Sequence, residues 1–146
     1  GKQTVNAIYD WDNYSTYYHK DLLGANNNII ISSPVISGPK VYELINLLKE
    51  KQMSGVQITI VTWSPDSYRF GDAAYWMQLH EDMRQAGFYI KTVEESCERF
   101  AVIDQEVVWY GNINLLAKDK VDDSIMRVLS KEIASELMEI TFGDNG

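Results

Sequence analysis

The chain has 146 residues, 45% of them hydrophobic and 12% aromatic, which suits one domain with a proper core and excludes a disordered polymer. Thirteen Lys and Arg against 21 Asp and Glu leave a net charge of −8, so phosphate backbones are repelled at long range and non-specific nucleic-acid binding is disfavoured, although Arg99 and Arg127 leave room for a small cationic patch. A single cysteine excludes an internal disulfide and fits a reducing compartment, and no apolar run approaches the roughly 20 residues that span a bilayer, so a soluble, cytoplasmic chain with no membrane partner is expected.

Residues 7 to 24 carry Ile8, Trp11, Ser15, Tyr18 and Leu22 at helical spacing and end at Gly24, which predicts an amphipathic helix. The adjacent His19-Lys20-Asp21 fans around that helix and reads as solvated surface. Ile29-Ile30-Ile31-Ser32-Ser33-Pro34 is a β-branched run closed by proline, which predicts a buried strand whose exit places Ser32 and Ser33 by a loop. After Gly38-Pro39, Val41, Leu44, Ile45 and Leu48 predict a crossover helix to about Lys51. A second strand over 57 to 62 exits through Trp63-Ser64-Pro65-Asp66, and a loop to Gly71 leads to a helix bearing Tyr75, Trp76, Leu79 and Met83, stopped by Gly87. His80 on that helix has no metal-ligand partner in sequence and reads as a surface or packing residue. Strands follow at 88 to 91, 98 to 104 and 107 to 111, the last two apolar on both faces and hence central. Ser130 is an apt N-cap for a final helix marked by Ile133, Leu137 and Ile140. A helix followed by β-α-β-α-β-β-β-α predicts an α/β fold, a mixed β-sheet sandwiched by helices.

The chemistry-bearing stretch is Cys97-Glu98-Arg99-Phe100-Ala101-Val102-Ile103-Asp104, followed by Val107-Val108-Trp109-Tyr110-Gly111-Asn112-Ile113-Asn114. It resembles the phospholipase D-like superfamily, whose motif is a His, a Lys two residues on and an Asp five residues later, then a second strand ending in Gly-Ser-x-Asn. Here Cys97 stands at the His position, Arg99 at the Lys position, Asp104 is retained, and Asn112 takes the Ser position between Gly111 and Asn114. Asp123 occupies the place where related domains carry an acidic residue, just before a short strand, to orient the catalytic His. With no imidazole to orient, it is expected to pair with Arg99 or Arg127. The resemblance covers roughly residues 29 to 142, behind an N-terminal helix within residues 1 to 25.

The family attacks a phosphodiester with the His, which becomes transiently phosphorylated, and a second His protonates the leaving group. Cys97 cannot fill the second role. Arg99 can still grip two phosphate oxygens with its planar fork, so Arg99, Asn112 and Asn114 are the expected phosphate-binding set. If their segments are extended, Cys97 and Arg99 share one face, as do Asn112 and Asn114. Ser32, Ser33, Trp63 and Ser64 are expected pocket neighbours. The resemblance implies no metal and no cofactor.

Each position also has a plainer reading. Cys97 can be a small buried residue, Arg99 the partner of Glu94, Glu95 or Glu98, Asp104 a hairpin-turn residue, and the two asparagines a strand exit. The order and spacing together favour the family. They imply a degenerate module that binds phosphate or nucleic acid, or mediates assembly, with an active metal-independent phosphodiesterase or nuclease as the alternative. The Asp-Ser-Ile-Met-Arg segment looks like the helicase-linked branch. The chain starts at Gly1-Lys2 without Met, which suggests a fragment of a larger DNA-processing protein whose other domains, and DNA or RNA, are its partners. Because the family builds its site from two motif copies and this chain has one, a homodimer packed near Arg99 and Asn114 is also expected.

Overall fold

The isoleucine run forms a strand, β2 (Asn28–Ser32), and its place explains its composition. In the computed structural model, which describes residues 7–67 and 73–143, this strand lies mid-sheet with neighbours on both edges and covered faces. On one side of it the strands are reached through helices: α2 (Gly38–Met53) leads to its neighbour β3 (Gln57–Trp63), and α3 (Ala73–Gln85) leads to β4 (Tyr89–Val93) at the sheet edge. Such crossovers produce parallel pairing, and β2, β3 and β4 are parallel. On the other edge β2 pairs antiparallel with β5 (Phe100–Ile103), which turns back into β6 (Val107–Gly111) and then β7 (Ser124–Leu129).

The β5–β6 connection is Asp104, Gln105 and Glu106, with Asp104 and Gln105 at φ 54° and 59° and the Glu106 N–H donating to the Ile103 carbonyl at 3.1 Å. Positive φ at both central positions matches the twist of the flanking strands, so this is the hairpin turn that the plainer reading of Asp104 expects. Asp104 also tethers the turn. Its carboxylate accepts hydrogen bonds from the backbone N–H groups of Asn26, Asn27 and Asn28 at 2.7 to 3.2 Å, holding the hairpin to the start of β2.

The mixed α/β sheet has seven strands, two more than the five predicted: β7, and a strand within the helix expected over residues 7 to 24. Ala7–Asp10 form β1, antiparallel to β7 at the sheet edge, and the helix α1 starts only at Tyr14 and runs to Leu23. The reason is local. Asp10 Oδ1 accepts from the N–H of Asp12 and Asn13, and Asn13 Oδ1 accepts from the N–H of Asp10, a turn that side chains of this kind offer in competition with a helix. The strand order is β1-β7-β6-β5-β2-β3-β4. The predicted loop before α3 extends over residues 68–72, which lie outside the described residues, as do the two chain ends.

Alternation along the strands divides the core in two. Ile29, Ile31, Ile58, Ile60, Ala101, Ile103, Trp109 and Ile125 face α1, α2 and α3. Ile30, Val61, Phe100, Val102 and Val108 face the final helix, α4 (Lys131–Phe142), through Ala134 and Leu137. Ser130 caps α4 as predicted, its hydroxyl accepting from the Ile133 N–H at 3.0 Å, while Gly87 at φ 90° follows α3. Of the residues marking α4 in sequence, Leu137 is buried and Ile133 and Ile140 are not.

Asp21 also departs from its predicted role. It is largely buried against the sheet, taking Arg127 Nε at 2.6 Å and Trp109 Nε1 at 2.8 Å, and so ties α1 to β7 and β6. His80 is a packing residue, 2% exposed, with burial and then Arg84 pulling its pKa down.

Candidate functional site

Cys97, Arg99, Asn112 and Asn114 lie at the end of the sheet where β2 and β3 exit, but not as the extended geometry requires, and Asp104 lies at the other end. Residues 95 to 99 are not strand: side chains at the ends of β2 and β3 hold the segment instead. Ser32 Oγ donates to the Glu98 carbonyl at 2.6 Å, and Trp63 Nε1 donates to the Glu95 carbonyl at 3.0 Å. Freed from strict alternation, Cys97 and Arg99 part. The Cys97 sulfur packs into the α4-side core, 3.5 Å from Ser32 Oγ and 4.0 Å from the Val61 carbonyl. Arg99 turns to the loop after β6 and donates through Nε to Asn114 Oδ1 at 2.9 Å. That loop's Ile113, Leu115 and Leu116 belong to the other core.

The surroundings of the thiol are confined. It opens on a cavity of about 90 Å³ bordered by Ser32, Val61, Ser96, Ile140 and Thr141, against the roughly 300–1,000 Å³ of a ligand pocket. Burial pushes its pKa up. The Ser32 hydrogen bond and the Arg99 charge oppose that rise, and Glu98 adds to it. A nucleophilic thiolate needs the reverse balance.

The asparagines divide as well, because the strand does not continue past Gly111. Asn112 is engaged with β7: its Oδ1 accepts the Ser124 N–H at 2.9 Å, and its own N–H donates to the Ser124 carbonyl at 3.1 Å. Asn114 alone meets Arg99. Among the described residues no carboxylate forms an ion pair with Arg99, so Glu94, Glu95 and Glu98 do not fill that role. The half-buried guanidinium is held through one N–H, and the rest of its fork is available to an anion.

One further expectation is corrected. Asp123 is not seen paired with either arginine: Arg127 bonds Asp21, and the Asp123 carbonyl accepts the Trp11 N–H at 2.9 Å, joining the β1–α1 turn to the start of β7. Asp104 lies at the opposite end of β5 from Cys97 and serves the hairpin. Of the expected neighbours, Ser32 borders the thiol, while Ser33 is buried, donating to the Val35 carbonyl and accepting the Leu116 N–H. Trp63 braces the Cys97 segment, and Ser64 lines a separate groove along α3 with Gln78 and Arg84. Sequence reasoning missed Glu98 as a participant, since its carboxylate takes the Tyr110 hydroxyl at 2.5 Å across β5 and β6. The alternation of Glu98 with Phe100, opposite Tyr110, was the available signal.

Among the described residues no group of three or more His, Cys, Asp or Glu side chains could hold a metal ion, and no helix is long and apolar enough to cross a membrane.

Comparison with known proteins agrees with this architecture. Residues 18–142 match the family model described as "Cardiolipin synthase, PLD-like domain". Among solved structures, the phospholipase D family member Nuc from Salmonella typhimurium superimposes with a TM-score of 0.72 at 12% identity, over 94% of this chain and 91% of that one. NucT from Helicobacter pylori gives 0.67 at 11% identity, over 94% and 92%. TrmBL2, an archaeal chromatin protein whose structure is described as showing a novel mode of DNA binding, gives 0.67 at 11% identity over 97% of this chain and 52% of its own. A search of curated proteins finds no matching sequence.

Proposed function

Because the chain belongs to the phospholipase D-like family, we propose that it is a degenerate member, a cytoplasmic module that holds a phosphate or a nucleic-acid backbone without cleaving it, inside a larger, helicase-type DNA-processing protein. Cleavage would need an exposed nucleophile and a proton donor for the leaving group. The observation that carries the reading is the place of Cys97: its sulfur is packed against Ser32 and Val61 beside a cavity of about 90 Å³, and burial keeps its proton on. Binding is a separate matter and rests on Arg99. Its Nε is fixed on Asn114 Oδ1 at 2.9 Å, which leaves the two Nη groups for bidentate contact with two phosphate oxygens. A second copy facing the first across Arg99 and Asn114 would double that contact.

Turnover of a generic phosphodiester such as bis(p-nitrophenyl) phosphate, and of single-stranded DNA, tests the proposal. The wild-type chain is expected to match the buffer blank, while Arg99→Gln weakens capture of the DNA. A wild-type rate that vanishes in Cys97→Ala would establish the active phosphodiesterase instead. The double change Cys97→His with Arg99→Lys asks how much of the chemistry the scaffold still supports.

A further inference from the structure

The two faces of the sheet are covered unequally. With strands about 4.8 Å apart, seven make a sheet roughly 29 Å wide, and helices that pack 8–10 Å apart cover such a face in about threes. One face has three helices; among the described residues the other has α4 alone. α4 takes the middle, over Phe100, Val102 and Val108, and leaves two wings.

The wings differ in chemistry. On the β3–β4 side, register sets Thr59 beside Tyr89 and Val61 beside Lys91, whose ammonium stands 5.9 Å from the centre of the Phe142 ring. That wing is polar enough to face water. On the other side, Tyr110, Met126 and Ile8 lie next to one another in a single cross-strand row, with Met126 41% and Ile8 76% exposed. The flank of α4 that faces them presents Ile133 and Ile140, 40% and 65% exposed. Between them lies a groove of about 220 Å³, floored by Val108, Met126 and Val128 and walled by Ile133, Leu137 and Ile140. β6, β7 and β1 together span about 10 Å, the width of one more helix.

Charge selects the occupant. Glu132, Glu136 and Glu139 recur at i, i+4 and i+7 along α4, all exposed, with Glu136 at the groove itself. Glu98 stands at its far rim on the Tyr110 hydroxyl, and among the described residues no cation lines it. A second copy laying its own α4 antiparallel in the groove would set this carboxylate stripe against its twin. We propose that the groove is the docking site for an amphipathic helix of a partner protein, one whose apolar stripe is bordered by Lys and Arg. The apolar stripe completes the missing layer over β6, β7 and β1. The basic border answers the glutamates.

Two labelled synthetic helices of about 18 residues, one a Leu/Lys amphipath and one a Leu/Glu amphipath, test this by fluorescence anisotropy against the whole chain at physiological salt. The Leu/Lys helix is expected to bind, and Ile133→Glu or Met126→Glu, both at exposed positions, to raise its Kd by about tenfold or more. The Leu/Glu helix is expected to bind only the variant carrying Glu132→Lys, Glu136→Lys and Glu139→Lys together. A Leu/Lys affinity untouched by Ile133→Glu, or a Leu/Glu helix that binds the wild type equally well, overturns the proposal. So does a wild-type dimer in light scattering that becomes a monomer with Ile133→Glu, because a second copy is then the occupant.

Discussion

A thiol packed beside valines and phenylalanine keeps its proton, since a thiolate there would give up water for too little in return. For Cys97 burial is the largest influence and acts upward from the ordinary value of 9.0, ahead of the opposing Ser32 hydrogen bond and Arg99 charge. The sign of the linkage follows. The folded chain holds this proton more tightly than the unfolded chain, so the contribution to stability is full below the unfolded pKa and declines as pH rises through the folded one. Alkylation by iodoacetamide, followed against pH, is expected to show a higher midpoint in native protein than in the same protein unfolded in urea. The opposite ordering would mean an activated thiolate. Its position between two apolar runs marked Asp104 correctly as a turn residue, and the strand between sets it far from the thiol. Five extended residues from Arg99 amount to about 16 Å, the whole length of β5 and more.

At the scale of elements, what the sequence made legible were segments with one dominant signal. Ile29-Ile30-Ile31, the Pro39 helix start, Gly87 and the Ser130 cap each led to the observed element. Two signals competed over residues 7 to 13, where helical spacing of Ile8 and Trp11 lost to the Asp10–Asn13 side-chain turn, so β1 was hidden. Residues 95 to 99 hid the converse: no local pattern announces that Ser32 and Trp63 from distant strands will hold the segment and separate Cys97 from Arg99. Gly111 marks where such non-local packing is strictest. A Cβ there would stand 2.5 Å from the Ser124 carbonyl oxygen and 2.6 Å from the Ile125 Cα, both backbone atoms of β7. Gly111→Ala must therefore push β6 and β7 apart, at a cost of about 1–3 kcal/mol. Urea unfolding monitored by tryptophan fluorescence should report that loss. Because Asn112 bonds Ser124 one residue further on, a stability equal to the wild type would mean that the two strands are less closely held than described.

For the whole molecule, electrostatics set the terms on which any nucleic acid is met. A net charge of −8 repels the polymer at a distance, so attraction has to come from the few cations that the fold brings to one place. Arg127 is committed to Asp21, and Lys40 to Asp119 at 3.4 Å; among the described residues Arg99, held by Asn114, is the cation of the proposed phosphate site. Each phosphate neutralised on a single strand contributes a slope of about 0.7 to the fall of log K with log salt. One Arg99 therefore predicts a slope of magnitude about 0.7, and a pair facing each other across a twofold about 1.4. The measurement is a titration of labelled oligo(dT) between about 50 and 200 mM salt, with Arg99→Gln alongside. The expected outcome is weak binding with a shallow slope that Arg99→Gln removes. A slope of magnitude about 4 or more would require several phosphate contacts, and with them a basic surface that the described residues do not present. A shallow slope that survives Arg99→Gln would move the anion contact away from the motif, and the proposed module would lose its phosphate site.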